Sequence, residues 1–261
     1  MEGFKASLAL GVKAFELDVN LTADGVPVLA HDLALNPAMT RDPAGHWLTT
    51  AGPLISSMTF AALESFDVGR IRPGSRLAAL FPDQAPEDGA RIPALTTVLS
   101  LGGIEQFIIE LKGDPRYPDH TVPAAVLADA VWAAVAACGV GARVVFESFD
   151  WRGPRHLRRL HPEVRLAWLT RAETVRDARL WWGGPHPDDF GGSVPRAVAA
   201  EGGTIWAPDY TDLTSDLVAE AQSLGLSVLP WTVNDPAAMR RLQRWGVDGL
   251  ITDRPDLAPS G

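Results

Sequence analysis

Two acidic side chains interrupt an apolar, strand-like run near the start of the chain. The run FELDV, residues 15–19, alternates apolar and acidic residues, and alternation along a strand places Glu16 and Asp18 on one face. A later run, FIIELK, places Glu110 and Lys112 on one face in the same way. Three carboxylates that converge at one site repel each other and resist desolvation unless a cation neutralises them. Because all of these ligands are oxygen atoms, Mg²⁺ or Ca²⁺ is favoured over zinc.

A histidine follows the next apolar run. Residues 26–30 are apolar, come after an Asp-Gly turn signal and end on His31-Asp32. A hard cation beside a histidine and a lysine suits phosphate-ester chemistry. Simpler alternatives stay open for these residues. The acids could be rim residues paired with lysine or arginine, and Asp32 could either orient local backbone or begin the turn before Leu33.

The elements that position these residues alternate between strands and helices. This alternation is typical of an α/β domain with a parallel sheet, and no GxGxxG or P-loop motif follows a strand. The number of strands favours a closed TIM-type (β/α) barrel over an open doubly wound sheet, and catalytic residues of such barrels lie at the carboxyl ends of the strands. The eight predicted strands are residues 13–19, 26–31, 107–112, 143–148, 164–170, 204–207, 227–233 and 249–252.

A long segment without a clear pattern separates the second and third predicted strands. Residues 33–93 are rich in Pro, Gly and Asp, with one short predicted helix around Phe60 to Phe66. A segment of this length exceeds ordinary loops, so we expect an insertion that covers a functional site and has no core of its own. The chain is therefore predicted to be a single barrel domain over residues 1–261, with an insertion at about 33–93.

Composition argues against several classes of function. The formal charge of −9 argues against nucleic-acid binding, which needs a basic surface, and the lone Cys138 allows no internal disulfide. The longest apolar run, residues 124–140, is broken by Asp129 and is predicted to be a buried helix, so we expect no membrane span. The first residues lack the basic and apolar regions of a signal peptide, which favours a cytoplasmic location. The oligomeric state is left open.

Five motifs make the sequence similar to a known family. They are ELD (residues 16–18) with His31-Asp32, IELK (109–112), SFD (148–150), WTVN (231–234) and GVDGLITDRP (246–255). With these motifs in this order, the chain resembles the glycerophosphodiester phosphodiesterase family over essentially its whole length. The resemblance implies a TIM barrel of the phospholipase-C-like type, with an insertion after the strand that bears the His-Asp pair. It also implies one divalent cation, Mg²⁺ or Ca²⁺, and hydrolysis of a small-molecule glycerophosphodiester to glycerol 3-phosphate and an alcohol.

The resemblance also implies roles for individual residues. It assigns the metal to three acidic residues, Glu16, Asp18 and Glu110. His31 would be one of two acid/base histidines, Lys112 would help to hold the phosphate, and Trp231 would line the site.

The sequence departs from the family pattern at its start. Members of the family open with a strand that ends in His-Arg-Gly, followed by Pro-Glu-Asn-Thr, before the helix that here begins at Glu2. We expect that the first strand, the first catalytic histidine and its neighbouring arginine are missing, and that Met1 is an internal methionine of a longer protein. Loss of one of two proton-transfer groups lowers a rate by roughly 10²- to 10⁴-fold, so activity of this chain would be impaired. Two alternatives stay open beside the hydrolase: a lysophospholipase D-like phosphodiesterase, and an inactive protein that binds a metal or a phosphodiester.

Overall fold

A mostly parallel sheet of seven strands forms the centre of the molecule. The computed structural model describes residues 1–258. The order of the strands in the sheet is β2-β1-β3-β4-β5-β6-β7, and every neighbouring pair except β2 with β1 is parallel. The strands are β1 (Ala14–Leu21), β2 (Pro27–Leu29), β3 (Gln106–Leu111), β4 (Val144–Ser148), β5 (Arg165–Thr170), β6 (Ile205–Pro208) and β7 (Ser227–Val228).

Helices fill the connections between consecutive parallel strands, because parallel strands need a long crossover. Helix α11 illustrates how the sequence sets the bounds: the Asp235 side chain accepts a hydrogen bond from the Ala238 N–H, and Gly246 ends the helix in the left-handed conformation. The helices are α1 (Glu2–Ala9), α2 (Phe60–Leu63), α3 (Arg76–Leu80), α4 (Leu95–Leu99), α5 (Ala124–Ala137), α6 (Arg152–Leu160), α7 (Ala172–Arg176), α8 (Ala178–Trp181), α9 (Val194–Ala200), α10 (Ser215–Ser223) and α11 (Pro236–Trp245).

Alternation along the strands separates an apolar outer face from a mixed inner face. In β1, the side chains of Phe15, Leu17 and Val19 belong to the main core between the sheet and the helices. Glu16 and Asp18 therefore lie on the opposite, inner face. The inner face also carries a smaller apolar cluster, formed by Ile108, Val145, Ala167, Leu169 and Ala207.

Three of the eight predicted strands differ from the prediction. The seventh, predicted over residues 227–233, is regular only over Ser227–Val228. The second is the short β2, which pairs antiparallel to β1 with Val19 opposite Leu29, because a short turn joins strands only in antiparallel pairs. The eighth, residues 249–252, is not a regular strand, although the Ile251 N–H donates to the Pro230 carbonyl at 3.0 Å and the Ile251 carbonyl accepts from Val233 at 2.9 Å. Within residues 1–258, no ladder joins this segment to β1. The prediction of a missing first strand stays a prediction.

The predicted insertion packs against the hairpin of β1 and β2. It contains α2 and α3, and an antiparallel bridge between Arg41 and Asp67 links its two halves. A small apolar cluster is buried between the insertion and the hairpin: Val28 of β2 with Leu35, Ile55, Leu63 and Ile92. The cluster includes a residue of β2, so the insertion is anchored on the hairpin. Its status as part of a single domain stays a prediction.

One helical stretch is long and apolar enough to span a membrane. It runs from Pro118 to Ala137, covers 20 residues and includes α5. In the structure, α5 buries Leu127, Val131 and Val135 in the main core. A buried core helix and a membrane-spanning helix can share such a composition, so the predicted absence of a membrane span is not confirmed.

Candidate active site

The structure brings Glu16, Asp18 and Glu110 together. β1 and β3 are parallel neighbours, and their register places Asp18 opposite Glu110. Each of the three side chains offers one carboxylate oxygen, and these oxygens all lie within 4.8 Å of one another. Glu110 is buried and the other two are half-buried. The convergence expected from strand alternation is therefore present, and the role of these acids as metal ligands stays a proposal.

Lys112 lies against two of these acids. Its Nζ donates a hydrogen bond to Asp18 Oδ1 at 3.1 Å and lies 3.0 Å from Glu110 Oε1. The side chain is only 12% exposed. Burial acts to lower the pKa of Lys112, but the facing Glu110 and Asp18 carboxylates outweigh burial and raise this pKa above its usual value. Lys112 therefore stays positively charged, and the resemblance to the family implies that this residue helps to hold the phosphate of the substrate.

The acids outnumber Lys112, and the pKa values of Glu110 and Glu16 are raised. Burial raises the pKa of Glu110 to about 7, with Lys112 opposing this change and Asp18 adding to it. Burial also raises the pKa of Glu16 well above its usual value, and the nearby Asp18, Glu147 and Glu110 carboxylates act in the same direction. Some of these carboxyl groups therefore keep their protons near neutral pH. A divalent cation bound here would displace those protons.

A fourth carboxyl group, that of Glu147 in β4, lies beside this group. Glu147 pairs in register with Glu110, is 1% exposed, and its Oε2 has no hydrogen-bond partner among residues 1–258. Burial raises the pKa of Glu147 well above its usual value, and Glu110 and Asp18 act in the same direction. Alternation along the fourth strand places this side chain inside the barrel, but the sequence alone assigns it no role.

His31 lies just after β2 and is held by its neighbour. Its Nδ1 donates to Asp32 Oδ1 at 3.0 Å, and Asp32 Oδ2 accepts from Asn36 at 2.7 Å. The hydrogen bond that His31 donates to the Asp32 carboxylate raises the pKa of His31 above its usual value. On the inner face of β1, Asn20 donates to the Ala30 carbonyl at 2.7 Å and so fixes the backbone next to His31. The imidazole itself is 73% exposed and thus accessible to a substrate.

Trp231 and Phe149 form an aromatic wall on the inner face. The indole N–H of Trp231 donates to the Ala207 carbonyl at 2.8 Å. The Phe149 ring meets it edge-on, with 5.3 Å between ring centroids. Both rings pack against the small apolar cluster of the inner face. Trp231 therefore lies on the face that carries the acids, and its contact with a substrate stays a proposal.

A cavity lies between the acids and the insertion. Its volume is about 300 Å³, and Glu16, Asp18 and His31 border it. The rest of the wall is mainly apolar, and the insertion contributes Leu35, Met39, Ile55 and Val68. The insertion therefore forms one wall of this cavity, and the expectation that it covers a functional site stays a prediction.

The side chains in this site fit a divalent cation. The Oε1 atom of Glu16 is buried and has no hydrogen-bond partner in the part of the chain that the structure describes. The carboxylate oxygens of Glu16, Asp18 and Glu110 are close enough to share one ion. Such an all-oxygen donor set suits Mg²⁺, Mn²⁺ or Ca²⁺. The three acids could thus bind a metal ion, and the donor atoms do not select among these metals.

Comparison with known proteins decides the family. Residues 1–257 match the glycerophosphoryl diester phosphodiesterase family. The chain belongs to this family. The resemblance based on the sequence motifs is thus confirmed.

Several individual proteins are similar over nearly the whole chain. A Silicibacter pomeroyi crystal structure, provisionally named a glycerophosphoryl diester phosphodiesterase, is 40% identical with a TM-score of 0.88, and the match covers 98% of this chain and 85% of that one. The glycerophosphodiester phosphodiesterase of Caldanaerobacter subterraneus is 25% identical over 97% of this chain and 87% of its own length. An Oleispira antarctica phosphodiesterase, solved with its product sn-glycerol-3-phosphate, is 21% identical with a TM-score of 0.66, over 96% of this chain and 86% of that one. The parallel sheet and these structural matches confirm the α/β, TIM-type barrel.

Proposed function

We propose that this protein hydrolyses glycerophosphodiesters to glycerol 3-phosphate and an alcohol, with one divalent cation held by Glu16, Asp18 and Glu110. The observation that carries the proposal is the convergence of these carboxylates, with Lys112 beside them, on the inner face of the barrel. Membership of the family supports phosphodiester chemistry. The sn-glycerol-3-phosphate bound by the Oleispira antarctica phosphodiesterase supports the choice of product.

The residues of the site supply the charge that a phosphodiester needs. When bound, the cation would act as a Lewis acid on a phosphate oxygen and make a nearby hydroxyl or water more acidic. Lys112 adds a positive charge within 3.1 Å of Asp18 and 3.0 Å of Glu110. This ammonium group stabilises the negative charge that grows on the phosphate oxygens in the transition state. Trp231 provides an apolar wall beside these charged groups.

His31 is the proposed proton-transfer group. Because Nδ1 is hydrogen-bonded to Asp32, Nε2 is the nitrogen that can exchange a proton with the substrate. In the overall hydrolysis, the P–O bond to the alcohol breaks and phosphorus gains the hydroxyl of water. The departing alcohol takes up a proton, so the atoms balance. Transfer of such a proton by a positioned side chain contributes roughly 10²- to 10⁴-fold to a rate.

Release of glycerol 3-phosphate from glycerophosphocholine tests the proposal. We expect turnover in Mg²⁺ or Ca²⁺ and none in EDTA, and the two ions are compared directly. Glu110→Gln is expected to lower kcat/KM by more than about 100-fold, because loss of outer-shell partners alone costs about 10- to 100-fold. Glu64→Gln, which changes an exposed glutamate after α2, is the matched control. Equal turnover in EDTA and in Mg²⁺ would contradict the role of the cation, and no turnover with either ion would favour an inactive binding protein.

One observation favours a second candidate, a lysophospholipase D-like activity. The cavity of about 300 Å³ beside Glu16, Asp18 and His31 is lined mainly by apolar side chains, which suit an acyl chain. Comparison of lysophosphatidylcholine with glycerophosphocholine distinguishes the two activities. A higher kcat/KM for lysophosphatidylcholine than for glycerophosphocholine would support the second candidate. In that case Met39→Asn, which changes a residue of the cavity wall, should reduce kcat/KM for the lysophospholipid. A higher value for glycerophosphocholine would exclude it as the main activity.

A further inference from the structure

An arginine at the mouth of the barrel has no part in the proposed function so far. Arg171 directly follows β5, whose residues Ala167 and Leu169 belong to the apolar cluster of the inner face. By the same alternation, Arg171 projects from the inner face. It lies at the carboxyl end of its strand, the end at which barrels carry residues that contact substrates.

An aromatic contact places Arg171 beside the proposed substrate site. Its guanidinium carbon lies 5.6 Å from the centre of the Phe149 ring. The same ring meets Trp231 edge-on at 5.3 Å. A guanidinium that rests on an aromatic ring keeps its edge, with the N–H donors, available to a ligand. Arg171 and Trp231 therefore border the same space on the inner face of the barrel.

The guanidinium of Arg171 retains an unused, buried donor. Its Nη2 donates to Glu173 Oε2 at 2.5 Å, whereas its Nε is buried and has no hydrogen-bond partner among residues 1–258. Arg155 provides a contrast, because its Nε, Nη1 and Nη2 all donate, to Glu201 and to the Trp182 carbonyl. Buried donors in folded proteins are normally paired. The unpaired Nε of Arg171 thus points to a ligand that would complete its hydrogen bonding.

A chain of ion pairs holds Arg171 in place without fully neutralising it. Glu173 pairs with Arg171 and also with Arg116. Arg116 in turn pairs with Asp114 at 2.6 Å. The chain connects the segment after β3 to the segment after β5, so it fixes the mouth of the barrel. Because Glu173 is shared by two arginines, Arg171 keeps positive charge for an anionic partner.

We infer that Arg171 binds an anionic oxygen of the substrate. This oxygen belongs either to the phosphate of the diester or to an acidic group, such as a carboxylate, on the alcohol. The inference rests on the proposed function, since it takes a glycerophosphodiester as the ligand. The planar guanidinium suits both groups, because two parallel N–H donors match the oxygens of a phosphate or a carboxylate. Contact with the phosphate makes Arg171 a general substrate-binding residue, whereas contact with the alcohol makes it a residue that selects anionic alcohols.

Calorimetric titration separates these two sources of the anion. The full chain with His31→Ala, in Mg²⁺, is titrated with glycerophosphoserine, glycerophosphocholine and sn-glycerol 3-phosphate, since loss of His31 keeps the diesters largely intact. Adding Arg171→Gln is expected to weaken binding by about 10- to 100-fold, the effect of losing a charge-assisted hydrogen bond. If Arg171 contacts the phosphate, Arg171→Gln weakens the binding of all three ligands. If Arg171 contacts the carboxylate, the variant weakens the binding of glycerophosphoserine alone. Arg244→Gln, an exposed arginine of α11, is the matched control.

Arg171→Lys serves as a second variant, because it keeps the charge but loses the paired donors. Arg171→Lys is expected to bind the ligands more tightly than Arg171→Gln and more weakly than the parent. If Arg171→Gln is poorly folded, the comparison of Arg171→Lys with the parent tests whether Arg171 binds the anion. Affinities within twofold of the His31→Ala parent would overturn the inference, and so would a parent that binds none of the three ligands. Release of glycerol 3-phosphate by the protein with His31 intact is measured in parallel. Its absence contradicts the proposed function, whereas unchanged affinity contradicts only the role of Arg171.

Discussion

Glu147→Gln is expected to stabilise the metal-free protein, and to do so increasingly as the pH rises. The side chain is 1% exposed, and burial raises its pKa well above the usual value of 4.5. The unfolded chain releases this proton near pH 4.5, whereas the native state keeps it. Above that pH the native state therefore binds more protons than the unfolded state. The free energy of unfolding of the wild type then falls as the pH rises through this window.

The magnitude follows from one titrating group. Each pH unit above the unfolded-state pKa costs up to about 1.4 kcal/mol until the native-state pKa is reached. The free energy of unfolding of the wild type therefore falls with this slope over the pH range in which the native state keeps the proton of Glu147. Glutamine has nearly the same shape and does not titrate, so the variant keeps this stability. About 1 kcal/mol corresponds to roughly 2–4 °C in Tm for a chain of this size, so the gap in Tm between the variant and the wild type widens by up to about 3–6 °C per pH unit.

Thermal melting in EDTA at pH 5, 6, 7 and 8 measures this gap. The other titrating groups are common to both proteins, so their contributions cancel in the comparison. Glu64→Gln is again the control, because it removes an exposed carboxylate. Addition of Mg²⁺ is expected to narrow the gap, since the cation neutralises the acids around Glu147. Parallel pH dependence of the two Tm values, or a variant that is less stable at pH 7, would show that Glu147 is ionised and paired in the native state, and would refute the reasoning.

Three further predictions concern other residues of the candidate site. Burial raises the pKa of Glu110 to about 7, so Mg²⁺ displaces a proton when it binds at lower pH. Mg²⁺ affinity, measured by calorimetry, is therefore expected to rise between pH 6 and pH 8, by up to about tenfold per pH unit where one proton is displaced. A pH-independent affinity would contradict the displacement of a proton from Glu110. Asp32→Asn keeps an acceptor oxygen but removes the negative charge that strengthens its hydrogen bond with His31 and raises the pKa of His31. The limb of the pH–rate profile that reports His31 is therefore expected to move to lower pH, and an unmoved limb would show that the Asp32 charge does not act on His31. Lys112→Gln is expected to lower kcat/KM for glycerophosphocholine by roughly 10- to 100-fold, the effect of losing a charge-assisted contact. A variant with wild-type kinetics would show that Lys112 does not contact the substrate.

Strand alternation predicted the inner face of the barrel where the strands are regular. Glu16 and Asp18 in β1 and Glu110 in β3 lie where the period of two places them. The same rule applied to β5 would have found Arg171, which follows Ala167 and Leu169 at that spacing. That signal was available in the sequence.

Alternation failed where the chain leaves strand geometry. β2 ends at Leu29, so alternation no longer places His31 and Asp32 on opposite faces, and their side chains are hydrogen-bonded. The antiparallel pairing of β2 was predictable from its short turn. The apolar cluster between β2 and the insertion was not, because the insertion residues of that cluster follow no helical or strand period. The cytoplasmic location and the division of the chain into a single domain stay proposals.

The central claim is that Glu16, Asp18 and Glu110 hold the cation. Crystals of the full chain grown with Mn²⁺, which shares the oxygen preference of Mg²⁺, and with sn-glycerol 3-phosphate allow the metal to be located by anomalous scattering. One strong peak is expected within about 2.0–2.6 Å of an oxygen of each of the three carboxylates, with the phosphate next to Lys112. A peak at other residues, or no peak at this position at saturating Mn²⁺, would contradict the account.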